Sequence, residues 1–94
     1  VLVRQFGEAA KRVQTAGGDG VEIHAAHAHG LLGGFLSPLY NKRCDEYGGD
    51  INGRLRLTLE VIEEVRRVCG EDFIIDVRIS GDEYSDGNTS NTYR

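Results

Sequence analysis

The stretch VEIHAAHAHGLLGG, residues 21–34, contains all three histidines of the chain, His24, His27 and His29. Its first four residues, VEIH, alternate between apolar and polar side chains, a pattern typical of a half-buried β-strand. The glycines that follow indicate a turn at the end of that strand. The stretch therefore predicts that the histidines gather where a strand ends.

The segments around this stretch predict an α/β fold. Helical spacing of apolar residues indicates helices, alternation indicates strands, and a polar or glycine-rich composition indicates loops. The predicted order is helix 1–16, strand 21–26, a long loop 28–49 with one short helical turn that ends before Pro38, helix 51–69 and strand 73–80. Two strands joined by a helical crossover should be parallel neighbours.

Each long helix is predicted to bury one apolar face. In the first helix that face contains Leu2, Phe6, Ala9, Ala10 and Val13. In the second long helix it contains Leu55, Leu59, Ile62, Val65 and Cys69.

The parallel arrangement places two polar side chains at one edge of the sheet. His24 lies near the end of the first strand and Arg78 near the end of the second, and ligands of α/β proteins bind at the carboxyl ends of parallel strands. Asp76 shares a face with Arg78, as Glu22 does with His24. Charged residues on one face of both strands indicate that this face lines the interior of a barrel, where the polar side chains pair with one another. The alternative is an ordinary buried ion pair, such as Glu22 with Arg78.

The histidines allow three interpretations. His24 and His27 could donate hydrogen bonds to one ligand oxygen that gains negative charge during a reaction. The spacing HxxHxH could instead ligate a metal ion, together with a carboxylate or thiol from elsewhere in the chain. The third interpretation is structural, with histidines that have no role in chemistry.

The composition excludes several classes of partner. The net charge is −4 with acids and bases interspersed, so there is no electrostatic argument for nucleic acid or an anionic membrane surface. No apolar run approaches the ~20 residues of a membrane span. No signal-peptide pattern opens the chain, and Cys44 and Cys69 are not in CxxC spacing, so we expect reduced thiols and a cytoplasmic location.

Four motifs in order carry a resemblance to a known family. They are DGVEIHAAH in residues 19–27, FLSPLYNKRCDEYGG in residues 35–49, the following Arg54, and VRIS in residues 77–80. Together they closely resemble the old yellow enzyme family of NADH:flavin oxidoreductases, over about residues 5–87. Within the family the chain is most similar to the enoate reductase and 2,4-dienoyl-CoA reductase branch.

The resemblance implies a segment of a (β/α)8 TIM barrel. A full barrel needs about 250 residues, so residues 1–94 would form a partial FMN-binding domain of about two βα units, approximately strands four and five. The isolated segment is expected to be inactive. An iron–sulfur cluster and FAD could belong to the full-length parent, but these residues do not encode their sites, and a homo-oligomer is compatible with the resemblance.

The resemblance also implies roles for individual residues. His24 and His27 match the pair that hydrogen-bonds a substrate oxygen, with His24 also against the flavin. Arg78 matches an arginine beside the FMN ring, where its positive charge favours the reduced, anionic flavin. NAD(P)H would be the reductant. Arg54 matches an arginine that holds the preceding loop in place.

Two positions depart from the family pattern. A tyrosine that donates a proton commonly occupies the position of Gly30. His29 beside it could donate the proton instead, because imidazole titrates near neutral pH. The alternatives are a proton from solvent, or a protein that does not reduce enoates. Asn52 and Gly53 stand where the family often has Glu-Asn.

The resulting functional prediction is a fragment of an FMN-dependent oxidoreductase that reduces activated C=C bonds. Its substrate would be a small α,β-unsaturated carbonyl compound or carboxylate. The alternatives are a non-catalytic α/β fragment without a complete site and a histidine-based metal-binding segment.

Overall fold

The computed structural model describes residues 1–28 and 30–82. Its elements are α1 (Leu2–Thr15), β1 (Gly20–Ala25), α2 (Leu31–Leu36), α3 (Ile51–Cys69) and β2 (Ile74–Ile79). The predicted order of helices and strands is confirmed, and α2 is the short helical turn predicted before Pro38.

The two strands form a parallel sheet. The register pairs Gly20 with Ile74 at one end and Ala25 with Ile79 at the other. In the described part of the chain the sheet contains β1 and β2 alone, so it is an open α/β unit and not a closed barrel. The predicted parallel pairing is confirmed.

The helices cover one face of this sheet. Buried and half-buried strand residues on that face are Val21, Ile23, Ala25, Ile75 and Val77. The helices and the segment before β2 complete the core with Ala10, Leu32, Leu36, Leu57, Val61, Val65, Cys69 and Phe73. The opposite face carries the exposed side chains of Glu22, His24, Ile74, Asp76 and Arg78. One face of the sheet is therefore packed, and the helices of the described residues leave the other, mostly polar face exposed.

The predicted buried face of α1 is wrong in part. Ala10 is buried and Phe6 is half-buried, as predicted. Leu2, Ala9 and Val13 are exposed. The reason is the close approach of α1 to α3 at Gly7, where an added Cβ would lie 2.8 Å from the Glu64 Cγ atom. The packed stripe therefore runs through Gly7 instead of through the larger residues beside it.

The buried face of α3 is also rotated from the prediction. Val65 and Cys69 are buried as expected, but Leu59 is 50% exposed. Leu57 and Val61 are buried in its place. Residues 57, 61 and 65 follow a strict four-residue spacing, which keeps them on one stripe of the helix.

Hydrogen bonds from Arg66 hold the turn that connects α3 to β2. Its Nη1 atom donates to the carbonyl oxygens of Gly70, Glu71 and Phe73, at 2.6 to 3.1 Å. Gly70 has a φ of 90°, in the region that favours glycine. These bonds satisfy carbonyl groups at the helix end and set where β2 begins.

We predict that Val61→Ala lowers the free energy of unfolding of the full-length protein by about 2 to 3 kcal/mol. The Val61 side chain is fully buried, and its truncation removes two methyl groups and leaves a cavity. Chemical denaturation measures the change. Glu63→Ala, at an exposed position of the same helix, is the matched control and should change the value by less than about 0.5 kcal/mol.

Candidate functional site

His24 and Arg78 lie side by side at the carboxyl end of the sheet. They are register partners in β1 and β2. Both are exposed on the face that the helices leave uncovered. The convergence predicted from the sequence is confirmed, because parallel strands bring their carboxyl ends to the same edge.

Arg78 forms an ion pair with Glu22. Its Nε atom lies 3.1 Å from Glu22 Oε1, and the two side chains are 63% and 47% exposed. The predicted pairing therefore occurs, and within residues 1–28 and 30–82 the pair is exposed to solvent. A guanidinium group has five N–H donors, so the pair with Glu22 leaves donors for a ligand.

The backbone of His27 places its ring beside that of His24. His27 has a φ of 61°, a conformation uncommon for a residue with a side chain. Its N–H donates to Ser80 Oγ at 2.9 Å, and its carbonyl accepts from the Gly30 N–H at 3.0 Å. The ring centroids of His24 and His27 are 5.8 Å apart at an interplanar angle of 58°. The two imidazoles therefore adjoin without stacking and can face one ligand atom.

His29, the third predicted site residue, lies outside the described residues, so the full HxxHxH pattern is not tested. Within residues 1–28 and 30–82, no group of three or more His, Cys, Asp or Glu side chains is placed to hold a metal ion.

Gly30 borders both the histidine pair and a surface depression. An added Cβ at Gly30 would lie 3.6 Å from His24 Nε2, so a side chain at this position would contact the imidazole. The depression has a volume of about 320 Å³. Its lining residues are Gly30, Leu31, Gly34, Phe35, Tyr40, Asn41 and Arg43. The depression therefore begins at Gly30, the residue beside the His24 ring, and runs along α2.

Asn41 organises the polar loop that borders this depression. Its side-chain amide donates to the carbonyl oxygens of Phe35 at 2.7 Å and Tyr47 at 2.8 Å. Its side-chain oxygen accepts from the Arg43 N–H at 3.0 Å. One side chain thus ties the end of α2 to both ends of the loop. The sequence analysis did not identify this structural role of Asn41.

Arg54 fastens the same loop from α3. Its Nε atom donates to the Leu36 carbonyl and its Nη1 atom to the Gly49 carbonyl, both at 2.9 Å. This agrees with the holding role that the resemblance implied. Gly53, one of the two departures, packs so closely that an added Cβ would collide with the Gly48 carbonyl oxygen. The departure is therefore accommodated by tight packing of the loop on the helix.

Charged groups shape the exposed part of the loop. The guanidinium of Arg43 binds both oxygens of Asp45, the shortest contact being 2.6 Å, and lies over the Phe35 ring. This hydrogen bonding, with the Tyr47 N–H as a second donor, holds the pKa of the Asp45 carboxyl below its usual value. The Tyr47 hydroxyl donates to Glu60 at 2.9 Å, which raises the Tyr47 pKa.

The geometry is that of a ligand-binding site at the edge of an α/β sheet. Imidazole and guanidinium donors meet at the carboxyl ends of parallel strands, the position at which α/β proteins bind ligands. The model of the NADH:flavin oxidoreductase / NADH oxidase family matches residues 1–92. The chain belongs to this family.

Relatives and solved structures agree with this assignment. A metal reductase of Desulforamulus reducens is 48% identical over 97% of this chain and 14% of the relative's length. A cinnamate reductase of Clostridium sporogenes is 47% identical over 83% of this chain and 12% of its own length. A structure of morphinone reductase in complex with tetrahydroNAD matches with a TM-score of 0.79 and 35% identity, over 97% of this chain and 24% of that protein. The chain thus spans less than a quarter of the length of each of these proteins.

We predict that Arg43→Gln raises the pKa of Asp45 towards its ordinary value, because the largest cause of its lowering is the hydrogen bond from Arg43. The carboxyl resonance of Asp45, followed by NMR over an acid titration, measures this pKa. Since the folded pKa is depressed, the pair stabilises the loop above the ordinary carboxyl pKa, and this contribution is lost as pH falls through the folded value. Arg67→Gln, which removes a similar pair with Glu64 on α3, should leave Asp45 unchanged. An Asp45 pKa that does not change in Arg43→Gln would show that the hydrogen bond from Arg43 is not what lowers it.

Proposed function

We propose that this chain is part of an FMN-dependent NAD(P)H oxidoreductase that reduces activated C=C bonds. The substrate would be a small α,β-unsaturated carbonyl compound or carboxylate. The observation that carries the proposal is the convergence of His24, His27 and Arg78 on the uncovered end of one parallel strand pair. Membership of the family and the similarity to a cinnamate reductase support it.

The domain proposal follows from the open sheet. Residues 1–94 would contribute about two βα units, corresponding to strands four and five of a (β/α)8 barrel. Two parallel strands with helices on one face and polar residues on the other support this, since the polar face would look into the barrel interior. The small share of each relative that the chain covers agrees with a partial domain.

The residues present fit an FMN site at this edge. His24 and Arg78 are adjacent, exposed and rich in N–H donors, and such donors suit the electron-rich oxygen and nitrogen atoms of an isoalloxazine ring. We assign both residues to holding the flavin. When bound, FMN supplies two-electron hydride chemistry with NAD(P)H as the reductant.

His24 and His27 would orient and activate the substrate. Each imidazole can donate an N–H to the carbonyl or carboxylate oxygen conjugated to the C=C bond. Negative charge grows on that oxygen as the alkene is reduced, so donors already in place stabilise the transition state more than the ground state. The rest of the substrate would extend over Gly30 towards the 320 Å³ depression.

A proton must also reach the α-carbon of the substrate. Gly30 offers no donor, although a side chain there would contact His24. We propose His29 as the donor, because it precedes Gly30 in the chain and imidazole exchanges protons near neutral pH.

A cytoplasmic location is part of the proposal and rests on the thiols. Cys44 and Cys69 are both free, which agrees with a reducing compartment.

None of the helices formed by residues 1–28 and 30–82 combines the length and apolar character needed to cross a membrane.

The His24→Ala/His27→Ala variant of the full-length, FMN-loaded protein that contains these residues tests the function. We expect weaker binding of an enoate such as cinnamate and a reoxidation of reduced flavin by that enoate slowed by about 10²-fold or more, because donors to a developing charge are lost. Stopped-flow absorbance measures this step and, separately, flavin reduction by NAD(P)H, which should change less. His29→Ala should leave enoate binding nearly intact and slow only the step that needs the proton.

The metal alternative makes a different prediction for the same variants. One metal ion per chain in the unmodified protein, lost from the His24→Ala/His27→Ala variant, would contradict the assignment of these residues to substrate binding. Elemental analysis and treatment with a chelator measure this directly.

We predict that residues 1–94 expressed alone associate or remain partly unfolded and bind FMN weakly or not at all. Two strands give a marginal sheet. Within the part of the chain that the structure describes, each strand has one edge without a partner strand, and Ile74 and Ile79 are more than 60% exposed. Size-exclusion chromatography, thermal melting and flavin absorbance test this. A monomer that melts cooperatively and retains one FMN would show that the segment is self-sufficient.

A further inference from the structure

His27 has an unusual backbone conformation, with a positive φ of 61°. Among the described residues it is the one non-glycine residue with a positive φ. An L-residue with a Cβ adopts this conformation at a cost in free energy, and such residues persist where the surroundings enforce them. The neighbouring segment AHAHG contains a glycine that could take this conformation more easily, yet the chain places it at a histidine.

Two hydrogen bonds hold the peptide groups on either side of the His27 Cα atom. The His27 N–H donates to Ser80 Oγ at 2.9 Å. The His27 carbonyl accepts from the Gly30 N–H at 3.0 Å. The first bond orients the peptide plane before the Cα atom and the second orients the plane after it. Together they set the direction in which the imidazole leaves the backbone.

The bond that Ser80 Oγ accepts joins the two segments that follow the paired strands. Ser80 follows β2 directly and lies two residues after Arg78, whereas His27 lies two residues after the end of β1. The bond thus links the residue beyond one strand end with the turn beyond the other, across 53 positions of sequence. It ties the position of the His27 ring to the segment that carries Arg78.

We propose that Ser80 is a positioning residue that sets the geometry of the histidine pair. Its hydroxyl accepts the His27 N–H, holds the turn in its left-handed conformation and keeps the His27 ring 5.8 Å from that of His24. Both imidazoles then reach the same oxygen of an α,β-unsaturated carboxylate. This inference rests on the proposed function and adds the residue that enforces the spacing of its two donors.

Binding of trans-cinnamate to the full-length, FMN-loaded protein, with oxidised flavin and no nicotinamide, provides the first test. Calorimetry gives the Kd for each variant. Ser80→Ala removes the acceptor and should raise Kd about 5- to 10-fold. Ser80→Thr retains the hydroxyl and should stay within about 2-fold of the unmodified protein. A loss of affinity in Ser80→Thr equal to that in Ser80→Ala would overturn the inference.

Ser37→Ala is the matched control. Ser37 is a buried serine that follows α2, and its Oγ also accepts a backbone N–H, from Leu39 at 3.2 Å. It lies at the opposite end of α2 from Gly30 and the histidines. Ser37→Ala should lower the thermal midpoint while it leaves the Kd for cinnamate unchanged within about 2-fold. An equal rise of Kd in Ser37→Ala and Ser80→Ala would show that any lost serine hydrogen bond has this effect and would overturn the positioning role.

A double-mutant cycle separates positioning from a general loss of structure. In the His27→Ala background, Ser80→Ala should change the Kd for cinnamate by less than about 2-fold, because the ring that Ser80 positions is already absent. The same 5- to 10-fold rise in both backgrounds would show that Ser80 acts independently of His27 and would overturn the inference.

A crystal structure of Ser80→Ala distinguishes this inference from the proposed function. We expect the His27 φ to leave the positive region and its ring to move away from His24. An unmoved His27 ring overturns the Ser80 inference alone and leaves the proposed function standing. If His27→Ala by itself leaves the Kd for cinnamate unchanged, the proposed role of His27 in substrate binding fails, and the role of Ser80 in ligand binding fails with it.

Discussion

The register of one parallel strand pair determines the candidate site. Because β1 and β2 are parallel, both carboxyl ends lie at one edge, and the pairing places His24 directly opposite Arg78. A slip of one residue would turn one strand's polar side chains towards the helices. Parallel neighbours also require a long crossover, which α2, the polar loop and α3 provide. The buried side chains of α3 thus support the site through packing, although none of them belongs to the site itself.

The two faces of the sheet have different energetic roles. Apolar strand residues pack under the helices and supply the burial that stabilises the unit. The other face exposes charged groups, among them the Glu22–Arg78 pair, and an exposed pair of this kind contributes little to stability. Residues on that face are therefore free to be selected for ligand chemistry. The assignment of Arg78 to a flavin is consistent with that division.

The loop between α2 and α3 is held by a few side-chain bonds to backbone carbonyls. Asn41 and Arg54 both reach carbonyl groups at the end of α2 and in the loop. Such bonds fix backbone without regular secondary structure, since each satisfies a polar group that would otherwise need water. The depression beside Gly30 keeps its shape for this reason, and its shape sets the space available to a ligand next to the histidines.

The sequence by itself determined the order of elements and the meeting of His24 with Arg78. Hydrophobic periodicity is local, and chain connectivity makes strands joined by a helical crossover parallel. Tertiary structure decided which apolar stripe of each helix is buried. Leu59 lies outside the buried stripe of α3 because neighbouring stripes are almost equally apolar, and only the packing of α3 against the other elements selects one of them. Tertiary structure also decided the left-handed turn at His27 and its bond to Ser80. That bond joins residues 53 positions apart, and no local pattern encodes a contact that exists only once the strands have paired.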